Sequence, residues 1–287
     1  MESIATPLVS IVTATKNRRE LLRQLIENIL SSSYPRIEHI IVDGLSTDGT
    51  VEMLREYEAR HPGRVRWMSE RDKNQVEAIN RGLRMAQGEF VSITHDDDGW
   101  LADGIGLLIE EASKHGPADI VYGNLYAVAP DGARRILKRR PYTMDDLVNR
   151  GYQAPQDGSL FKRKWLAEVG LLDESVEYVP EHDLFLRIME RGGSLLFVDR
   201  MVGTTLVHEG KKSWQGRTKG WDETWRVNRK HGAKLFSVFT AAYIKNKYLN
   251  APYAFLTKTF PGFSGAIKKM FRSPSYENDS EAGKKPN

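Results

Sequence analysis

The sequence contains no cysteine among its 287 residues. Disulfides and thiolate metal sites are therefore excluded, and any metal must be held by Asp, Glu or His. The N-terminus has no basic segment followed by an apolar stretch, so no signal peptide is expected. Uncharged runs such as 235–244 and 248–257 are shorter than the roughly 20 residues that a spanning helix needs. We therefore expect a cytoplasmic protein.

Acidic residues are scarce in one part of the chain. Residues 208–272 hold 14 Lys and Arg against 3 Asp and Glu, a balance of +11, whereas residues 1–207 hold 26 against 32, a balance of −6. Aromatic side chains lie throughout the basic region, which favours contact with anionic lipid or nucleic acid. The alternative is a helical appendage whose aromatics pack on the main domain and leave a solvated basic rim.

The first half of the chain alternates β-branched runs with amphipathic segments. Strands are predicted at 9–14, 39–43, 65–69 and 90–94, and helices at 19–30, 51–60 and 75–86, with Gly88 as a C-cap. This βαβα order predicts an α/β protein with a doubly wound, mostly parallel sheet flanked by helices. Ligands of such sheets bind at the carboxyl ends of the strands, where Asp43, Asp72 and 96–98 lie.

Three consecutive carboxylates, Asp96, Asp97 and Asp98, follow the fourth predicted strand. Carboxylates at the exit of a buried strand repel one another and are costly to desolvate unless a cation or protons neutralise them. Mg²⁺ or Mn²⁺ shared with a diphosphate is the natural cation, because both prefer oxygen ligands. Taken alone, the triplet is weak evidence for a metal site and favours a solvated acidic loop.

An ordered series of motifs resembles the inverting glycosyltransferases of family 2. The series is VSIVTATKNR at 9–18, EHIIVDGLSTDGT at 38–50, ERDKNQ at 70–75, AINRG at 78–82, HDDDGWL at 95–101, PQDGSLFKR at 155–163, VGLLDE at 169–174 and EHDLFLR at 181–187. The resemblance covers about residues 7–215, and the series is more specific than any single motif. It implies the GT-A fold, a nucleotide-diphospho-sugar donor and a bacterial surface-polysaccharide pathway.

The resemblance also implies a donor site. Asp43 corresponds to the base-binding aspartate, whose carboxylate can accept the imide N–H of uracil or thymine. An Asx turn with Gly44 is the alternative role for this residue. The other residues that the resemblance places at the nucleotide sugar are Thr13, Thr15, Arg18, Asp72, Asp96, Asp97 and Lys211. Arg18 has the alternative of a solvated loop cation, and Lys211 can neutralise the leaving diphosphate.

The metal ligands follow from aligning the acidic triplet with the family pattern. Asp98 is then the metal ligand, and Asp97 holds the ribose or a metal-bound water. His95 stands where the family usually has an acidic or amide residue, so the register can shift by one position and give the metal role to Asp97. His208 can add a ligand or donate to phosphate, and a solvated loop histidine is its alternative. The implied cofactor is Mn²⁺ or Mg²⁺.

Inverting transfer needs one base that deprotonates the acceptor hydroxyl. The family's base maps onto Glu181, where Asp is commoner. Asp183 is the second candidate, although it is also predicted to cap a helix at 184–191; His182 is expected to be an exposed orienting residue. The segment Gln156, Asp157 and Gly158 is expected to line the acceptor pocket. Trp100 would either stack on a sugar or anchor the helix that follows it.

These observations predict a GT-A catalytic domain at 1–210, a basic, aromatic, helical C-terminal appendage at 211–272 and a disordered tail at 273–287. The predicted reaction is metal-dependent, inverting transfer from a UDP-sugar or dTDP-sugar to a hydroxyl of a glycan or lipid-linked glycan. Peripheral contact with an anionic membrane is expected on its cytoplasmic face, together with no nucleic-acid partner and scope for a homo-oligomer.

Two other classes of function remain open. A nucleotidyltransferase could use a similar sheet and acidic site, but it usually carries an early Gly-rich, basic phosphate loop, which residues 13–19 lack. A non-catalytic glycan-binding relative would tolerate loss of the base carboxylate. Retention of Glu181 and Asp98 argues against that alternative.

Overall fold

The computed structural model describes residues 6–114, 118–207 and 217–250. The strands are β1 (Val9–Thr15), β2 (Ile37–Asp43), β3 (Val65–Ser69), β4 (Phe90–Ile93), β5 (Asp98–Trp100), β6 (Ile120–Val128), β7 (Arg134–Leu137), β8 (Ser159–Lys162) and β9 (Leu195–Leu206). The α-helices are α1 (Arg19–Leu30), α2 (Thr50–Arg60), α3 (Gln75–Met85), α4 (Gly104–Lys114), α5 (Met144–Asn149), α6 (Lys164–Val169), α7 (Pro180–Glu190), α8 (Arg217–Lys230) and α9 (Val238–Ile244). A π-helical segment, Lys245–Asn250, follows α9.

All described strands belong to one mixed sheet with the order β3-β2-β1-β4-β8-β6-β9-β5, and β7 pairs with β6. Strands β1 to β4 are parallel, and β6 and β9 are parallel to each other. Strand β8 runs antiparallel to both β4 and β6, so β6 and β9 share the direction of β1 to β4. The predicted mostly parallel α/β sheet is therefore confirmed, since six of the nine described strands share one direction, whereas β8 at its centre and the strands β5 and β7 run the opposite way.

The core explains why β1 and β2 are buried at every position. Successive side chains of a strand point to opposite faces of the sheet. Val12 accordingly packs into one apolar cluster with α3 and α7, whereas Ile11 packs into another with α1 and α4. Helices thus cover both faces, which is the condition under which parallel strands carry continuous apolar runs.

Two glycines mark close approaches of the backbone. Helix α3 ends with Ala86 as its C-cap, so the prediction that Gly88 caps it is wrong. A Cβ at Gly88 would lie 2.7 Å from the carbonyl oxygen of Leu8, which explains why a glycine is needed there. Helix α4 begins at Gly104, where a Cβ would lie 2.0 Å from the carbonyl oxygen of Val202.

The described part of the C-terminal region packs on the body of the protein. Val227 and Ala233 are buried in the same apolar cluster as α7. Trp221 stacks on Phe239 with ring centroids 5.5 Å apart, and Trp225 stacks on Tyr243 at 5.4 Å. None of the helices within the described ranges is long and apolar enough to cross a membrane. The boundaries at 210 and 272 remain predictions, and the tail at 273–287 lies outside the described residues.

Candidate active site

A cleft of about 490 Å³ opens at the carboxyl ends of β1 and β4, beside the N-terminus of α7. Six of the residues predicted from the sequence line it together: Arg18, Asp96, Asp97, Gln156, Asp157 and Glu181. Gln75, Gln153 and Tyr178 also line the cleft, although the sequence analysis gave them no role. Their only sequence signal is that each stands within or close to a recognised motif.

The sheet topology explains why residues far apart in the chain meet here. Arg18 follows β1, and Asp96 and Asp97 follow β4, so all three stand at the same edge of the parallel strands. Because β8 is antiparallel to β4, the segment before β8 also reaches the carboxyl end of β4. Gln156 and Asp157 belong to that segment. Strand direction therefore brings the predicted acceptor residues to the predicted donor residues.

Asp96 is neutralised by the protein itself. The guanidinium of Arg18 forms an ion pair with Oδ1 of Asp96, and the Thr15 hydroxyl donates to Oδ2 over 3.3 Å. Burial raises the pKa of Asp96 and outweighs the opposing effect of Arg18, and the neighbouring Asp97 carboxylate adds to the rise. Asp96 thus holds Arg18 and Thr15 at the cleft.

His95 lies among carboxylates at the floor of the cleft. Its Nδ1 is 3.3 Å from Nε2 of Gln75, and its Nε2 contacts the side-chain amide of Gln156. Burial alone would lower the pKa of His95, but Glu181, Asp98, Asp157 and Asp97 reverse that effect and raise it. The departure from the family pattern at this position therefore introduces an imidazole with an increased tendency to be cationic.

The donor set fits a divalent metal shared with a substrate. Asp97 lines the cleft, and Asp98 begins β5 with its Oδ1 accepting from the Thr205 hydroxyl over 2.7 Å. Within the described ranges, no three His, Asp or Glu side chains are grouped to hold a metal. One or two carboxylates completed by phosphate oxygens and water are the usual ligands of Mg²⁺, so two adjacent aspartates suffice. His208 and Lys211 lie outside the described residues.

Glu181 reaches the cleft because α7 begins just before it. Val179 is the N-cap and Pro180 occupies the first turn, where its missing N–H costs no helical hydrogen bond. Glu181 is itself buried and lines the cleft. The prediction that Asp183 caps this helix is wrong, because α7 starts at Pro180 and Asp183 lies inside its first turn.

Asp183 is fully buried and does not line the cleft. Its carboxylate accepts from Nε of Arg187 at 2.8 Å and from Nζ of Lys230 at 2.9 Å, and it lies 3.0 Å from Nε2 of His231. Burial alone would raise the pKa of Asp183, but His231, Lys230 and Arg187 together lower it below its usual value. This carboxylate is therefore charged and joins α7 to α8.

His182 is buried, which corrects the expectation of an exposed residue. Its Nδ1 accepts from the backbone N–H of Ala154 over 2.9 Å, so the ring proton is on Nε2. Nε2 then donates to Oδ1 of Asn228 in α8 over 2.8 Å. Burial lowers the pKa of His182 to about 4, so the ring is neutral. It connects α7 with the segment before β8 and with α8.

Helix α8 also holds the chain that enters α7. The Glu223 carboxylate accepts from the backbone N–H groups of Glu177 at 2.9 Å and Val179 at 3.2 Å, and also from that of Tyr178. These are the residues directly before Pro180 and Glu181. The sequence carries no signal for this contact, since Glu223 is more than 40 residues away in the basic region.

The predicted base-binding aspartate lies at the carboxyl end of β2. Oδ2 of Asp43 accepts from the backbone N–H of Ser46 at 3.0 Å and from the Ser69 hydroxyl at 2.6 Å. Oδ1 of Asp43 is buried and has no hydrogen-bond partner among the described residues. The Asp72 carboxylate lies close by, since a Cβ at Gly44 would stand 2.5 Å from its Oδ2. The structure thus places Asp72 beside Gly44, the residue that follows Asp43.

Three further predicted residues lie away from the cleft lining, as Thr15, Asp43, Asp72, Asp98 and Asp183 also do. Thr13 is buried in the sheet, where its hydroxyl donates to the Thr94 carbonyl over 2.8 Å. Trp100 is buried, and its Nε1 donates to the Thr94 hydroxyl over 3.2 Å. This arrangement matches the anchoring role rather than stacking on a sugar. Gly158 has a φ of +62° in the turn before β8, a left-handed backbone conformation that favours glycine.

Comparison with known proteins agrees with this geometry. The model of the glycosyl transferase family 2 matches residues 10–170, which is more than half of the chain. Among curated proteins, WcaA of Escherichia coli strain K12, named as a glycosyl transferase of colanic acid biosynthesis, is 24% identical over 254 residues. The match covers 84% of this chain and 89% of WcaA.

Two solved structures have the same fold. A mannosyltransferase of Pyrobaculum calidifontis, in complex with GDP-Man and Mn²⁺, aligns with a TM-score of 0.64 and 19% identity over 93% of this chain and 79% of its own. Residues 1–349 of Staphylococcus aureus TarS, in complex with UDP-GlcNAc, align with a TM-score of 0.61 and 14% identity over 92% and 78%. The predicted GT-A fold is confirmed.

Proposed function

The chain belongs to glycosyl transferase family 2, and from that membership we propose that it transfers a sugar, with inversion, from a nucleotide-diphospho-sugar to a hydroxyl of a glycan or lipid-linked glycan. One observation carries the proposal. A buried carboxylate from the start of α7, Glu181, lines the same cleft as Asp97 of the acidic turn after β4. Inverting transfer needs one base and one site for the leaving diphosphate, and this cleft offers both.

Glu181 is the proposed base. Its carboxylate takes the proton of the acceptor hydroxyl as the hydroxyl oxygen bonds to the anomeric carbon and the bond between that carbon and the diphosphate oxygen breaks. The buried and charged Asp183 holds α7 against the end of α8 through Lys230 and His231. Positioning of this kind contributes to catalysis because it keeps the base within reach of the reacting proton.

Asp97 and Asp98 are the proposed ligands of Mn²⁺ or Mg²⁺. The bound metal supplies positive charge to the diphosphate oxygens. Arg18 lies at the same edge of the cleft and is 35% exposed, so its guanidinium can add a second positive group there while it pairs with Asp96. Lys211 and His208 are proposed to approach the diphosphate from the segment that follows β9. The Mn²⁺ in the mannosyltransferase structure supports a divalent ion.

The proposed donor is a UDP-sugar or a dTDP-sugar. The support is Asp43 Oδ1, a buried acceptor without a partner in the described part of the chain. An imide N–H of uracil or thymine would satisfy that oxygen, and an unsatisfied buried acceptor is costly. The two solved structures contain GDP-Man and UDP-GlcNAc, so proteins of this fold differ in the nucleobase of the donor.

A role in the synthesis of a bacterial surface polysaccharide is part of the proposal. Its support is the likeness to WcaA, which is named for colanic acid biosynthesis. We further propose that the protein works in the cytoplasm, in peripheral contact with the inner face of the membrane. The +11 balance of residues 208–272 supports this location, because a lipid-linked acceptor would be found at an anionic surface.

Donor binding and turnover test the proposal directly. UDP, dTDP and GDP are titrated into the protein with and without Mn²⁺, and nucleotide sugars of each base are then screened for slow hydrolysis. We expect UDP or dTDP to bind more tightly than GDP and only in the presence of the metal. Tight binding without metal would contradict the metal assignment. No binding of any nucleotide would contradict the donor assignment.

A further inference from the structure

Exposed large apolar side chains are concentrated in one short stretch of the described chain. The stretch runs from the loop between α8 and α9 to the π-helical segment. Five of the seven such side chains lie there: Leu235, Phe236, Val238, Ile244 and Tyr248. Phe236 is 97% exposed. Clustered exposed apolar side chains mark interaction surfaces, whereas single ones need no explanation.

The three apolar residues Leu235, Phe236 and Val238 form what we call the apolar tip. The tip has a rigid base, because Phe239, the next residue of α9, stacks on Trp221 of α8. The aromatic side chains of this region therefore divide into two sets. One set holds α9 against α8, and the tip residues are left outside that packing.

Positive charge surrounds the tip. Lys234 is exposed directly before it and makes no ion pair within the described ranges. Arg150 and Lys234 share a shallow pocket of about 440 Å³ with Phe236 and with one carboxylate, Asp145; among the described residues Arg150 pairs with Asp145 and Asp146 of α5. Residues 217–250 carry 8 Lys and Arg against 2 Asp and Glu. A partner of the tip must therefore combine an apolar interior with a negatively charged surface.

The tip also adjoins the acceptor side of the cleft. The Phe239 ring packs on Gly151, where a Cβ would come within 2.9 Å of the ring. Tyr152 lines the shallow pocket beside the tip, and the next residue, Gln153, lines the active-site cleft. A surface that binds the tip is consequently held beside the acceptor entrance.

We propose that the apolar tip inserts at the boundary between the headgroups and the acyl chains of an anionic bilayer and thereby sets the acceptor side of the cleft against the membrane. An anionic bilayer combines the two properties that the tip requires, since its acyl chains accept Phe236 and its headgroups attract Lys234 and Arg150. The proposal deepens the proposed function, because it rests on a lipid-linked acceptor for its purpose, although the binding itself does not depend on catalysis.

Vesicle co-sedimentation of the full chain tests the tip. Vesicles of phosphatidylcholine are compared with vesicles that also contain phosphatidylglycerol, at low and high salt. We expect Phe236→Ala to weaken binding to the anionic vesicles about tenfold, because a phenyl group is removed from an apolar environment. Lys234→Gln should weaken it by a few-fold, and only at low salt. Ile136→Ala, at another exposed apolar side chain on β7, is the matched control and should bind as the wild type does.

The result that overturns the proposal is Phe236→Ala binding as tightly as the wild type. If the tip is instead covered by a second copy of the chain, Phe236→Ala will dissociate an oligomer seen by sedimentation velocity and leave vesicle binding unchanged. If the tip is covered by residues 251–287, deleting them will increase vesicle binding that depends on Phe236. Hydrolysis of the donor in solution separates this proposal from the proposed function, since it should be unchanged in Phe236→Ala and should be lost in Glu181→Gln.

Discussion

Arg18 and Asp96 form an ion pair that joins the end of β1 to the acidic turn after β4. Asp96 is almost completely buried, whereas Arg18 is partly exposed at the cleft. The pair distinguishes Asp96 from the two carboxylates that follow it, because Asp96 has its own cation within the protein. It also fixes Arg18 at the edge of the cleft, beside the proposed diphosphate site.

Asp98→Asn is expected to abolish metal-dependent binding of the nucleotide sugar with the fold intact. The amide keeps an oxygen that can accept from the Thr205 hydroxyl, but it removes a negative charge that the metal needs. Calorimetric titration of a UDP-sugar with Mn²⁺ measures the effect, and circular dichroism checks the fold. Normal metal dependence in Asp98→Asn combined with its loss in Asp97→Asn would shift the assignment by one residue.

Glu181→Gln is expected to leave donor affinity roughly unchanged and to lower kcat by about 10²–10⁴-fold, which is the usual contribution of a positioned base. The amide matches the size of the carboxylate but cannot take a proton. Steady-state kinetics with a saturating donor measure kcat, and nucleotide titration measures affinity.

Asp183→Asn is the comparison variant for the base. Asp183 and His231 are buried and Arg187 is largely buried, whereas the Lys230 side chain is half exposed, so removing the charge of Asp183 leaves Arg187 and His231 without their buried carboxylate. We expect a loss of about 3–5 kcal/mol in the free energy of unfolding, measured with urea. If Asp183→Asn folds normally and is inactive while Glu181→Gln turns over normally, Asp183 is the base.

Glu223→Gln is expected to lower kcat about tenfold with little change in the KM of the donor. The carboxylate accepts backbone N–H groups before Glu181 through both of its oxygens, whereas an amide offers only one acceptor. Because Glu223 acts through Glu181, the two changes should not add, so Glu223→Gln should have almost no further effect on kcat in the Glu181→Gln background. Lys219→Gln, at an exposed position of α8, is the matched control. Additive losses would assign Glu223 a purely structural role.

The stability of the protein should fall as the pH is lowered from about 6.5 to 4. Burial lowers the pKa of His182 to about 4 from its ordinary 6.5, and that of His39 to about 3. Above pH 6.5 both rings are neutral whether the chain is folded or not, so their full contribution is present. Below it the unfolded chain takes up protons first, and each histidine costs about 1.4 kcal/mol of stability per pH unit.

Urea denaturation between pH 4.5 and 7.5 measures this dependence. His182→Gln removes one titrating group, so its unfolding free energy should change less steeply with pH than that of the wild type. An unchanged slope in His182→Gln would contradict a neutral His182 in the folded protein.

Much of the fold could be predicted from local patterns. The β-branched runs of β1 to β4 and the helical periodicity of α1 to α3 are local properties, and the observed elements match their predicted positions within two residues at each end. The order of these elements indicates a sheet covered on both faces, and therefore a site at the strand ends. The ordered motifs led to the family for the same reason, since their residues follow individual strands.

Other features were decided by tertiary structure, because they depend on contacts between distant parts of the chain. Strand β8 runs antiparallel to β4, and this direction places Gln156 at the cleft. No pattern within β8 itself indicates the direction in which the strand runs. His182 is buried because Ala154 and Asn228 satisfy both of its ring nitrogens, at separations of 28 and 46 residues. A hydrogen-bonded partner removes much of the cost of burying a polar side chain, and the sequence around that side chain does not reveal the partner.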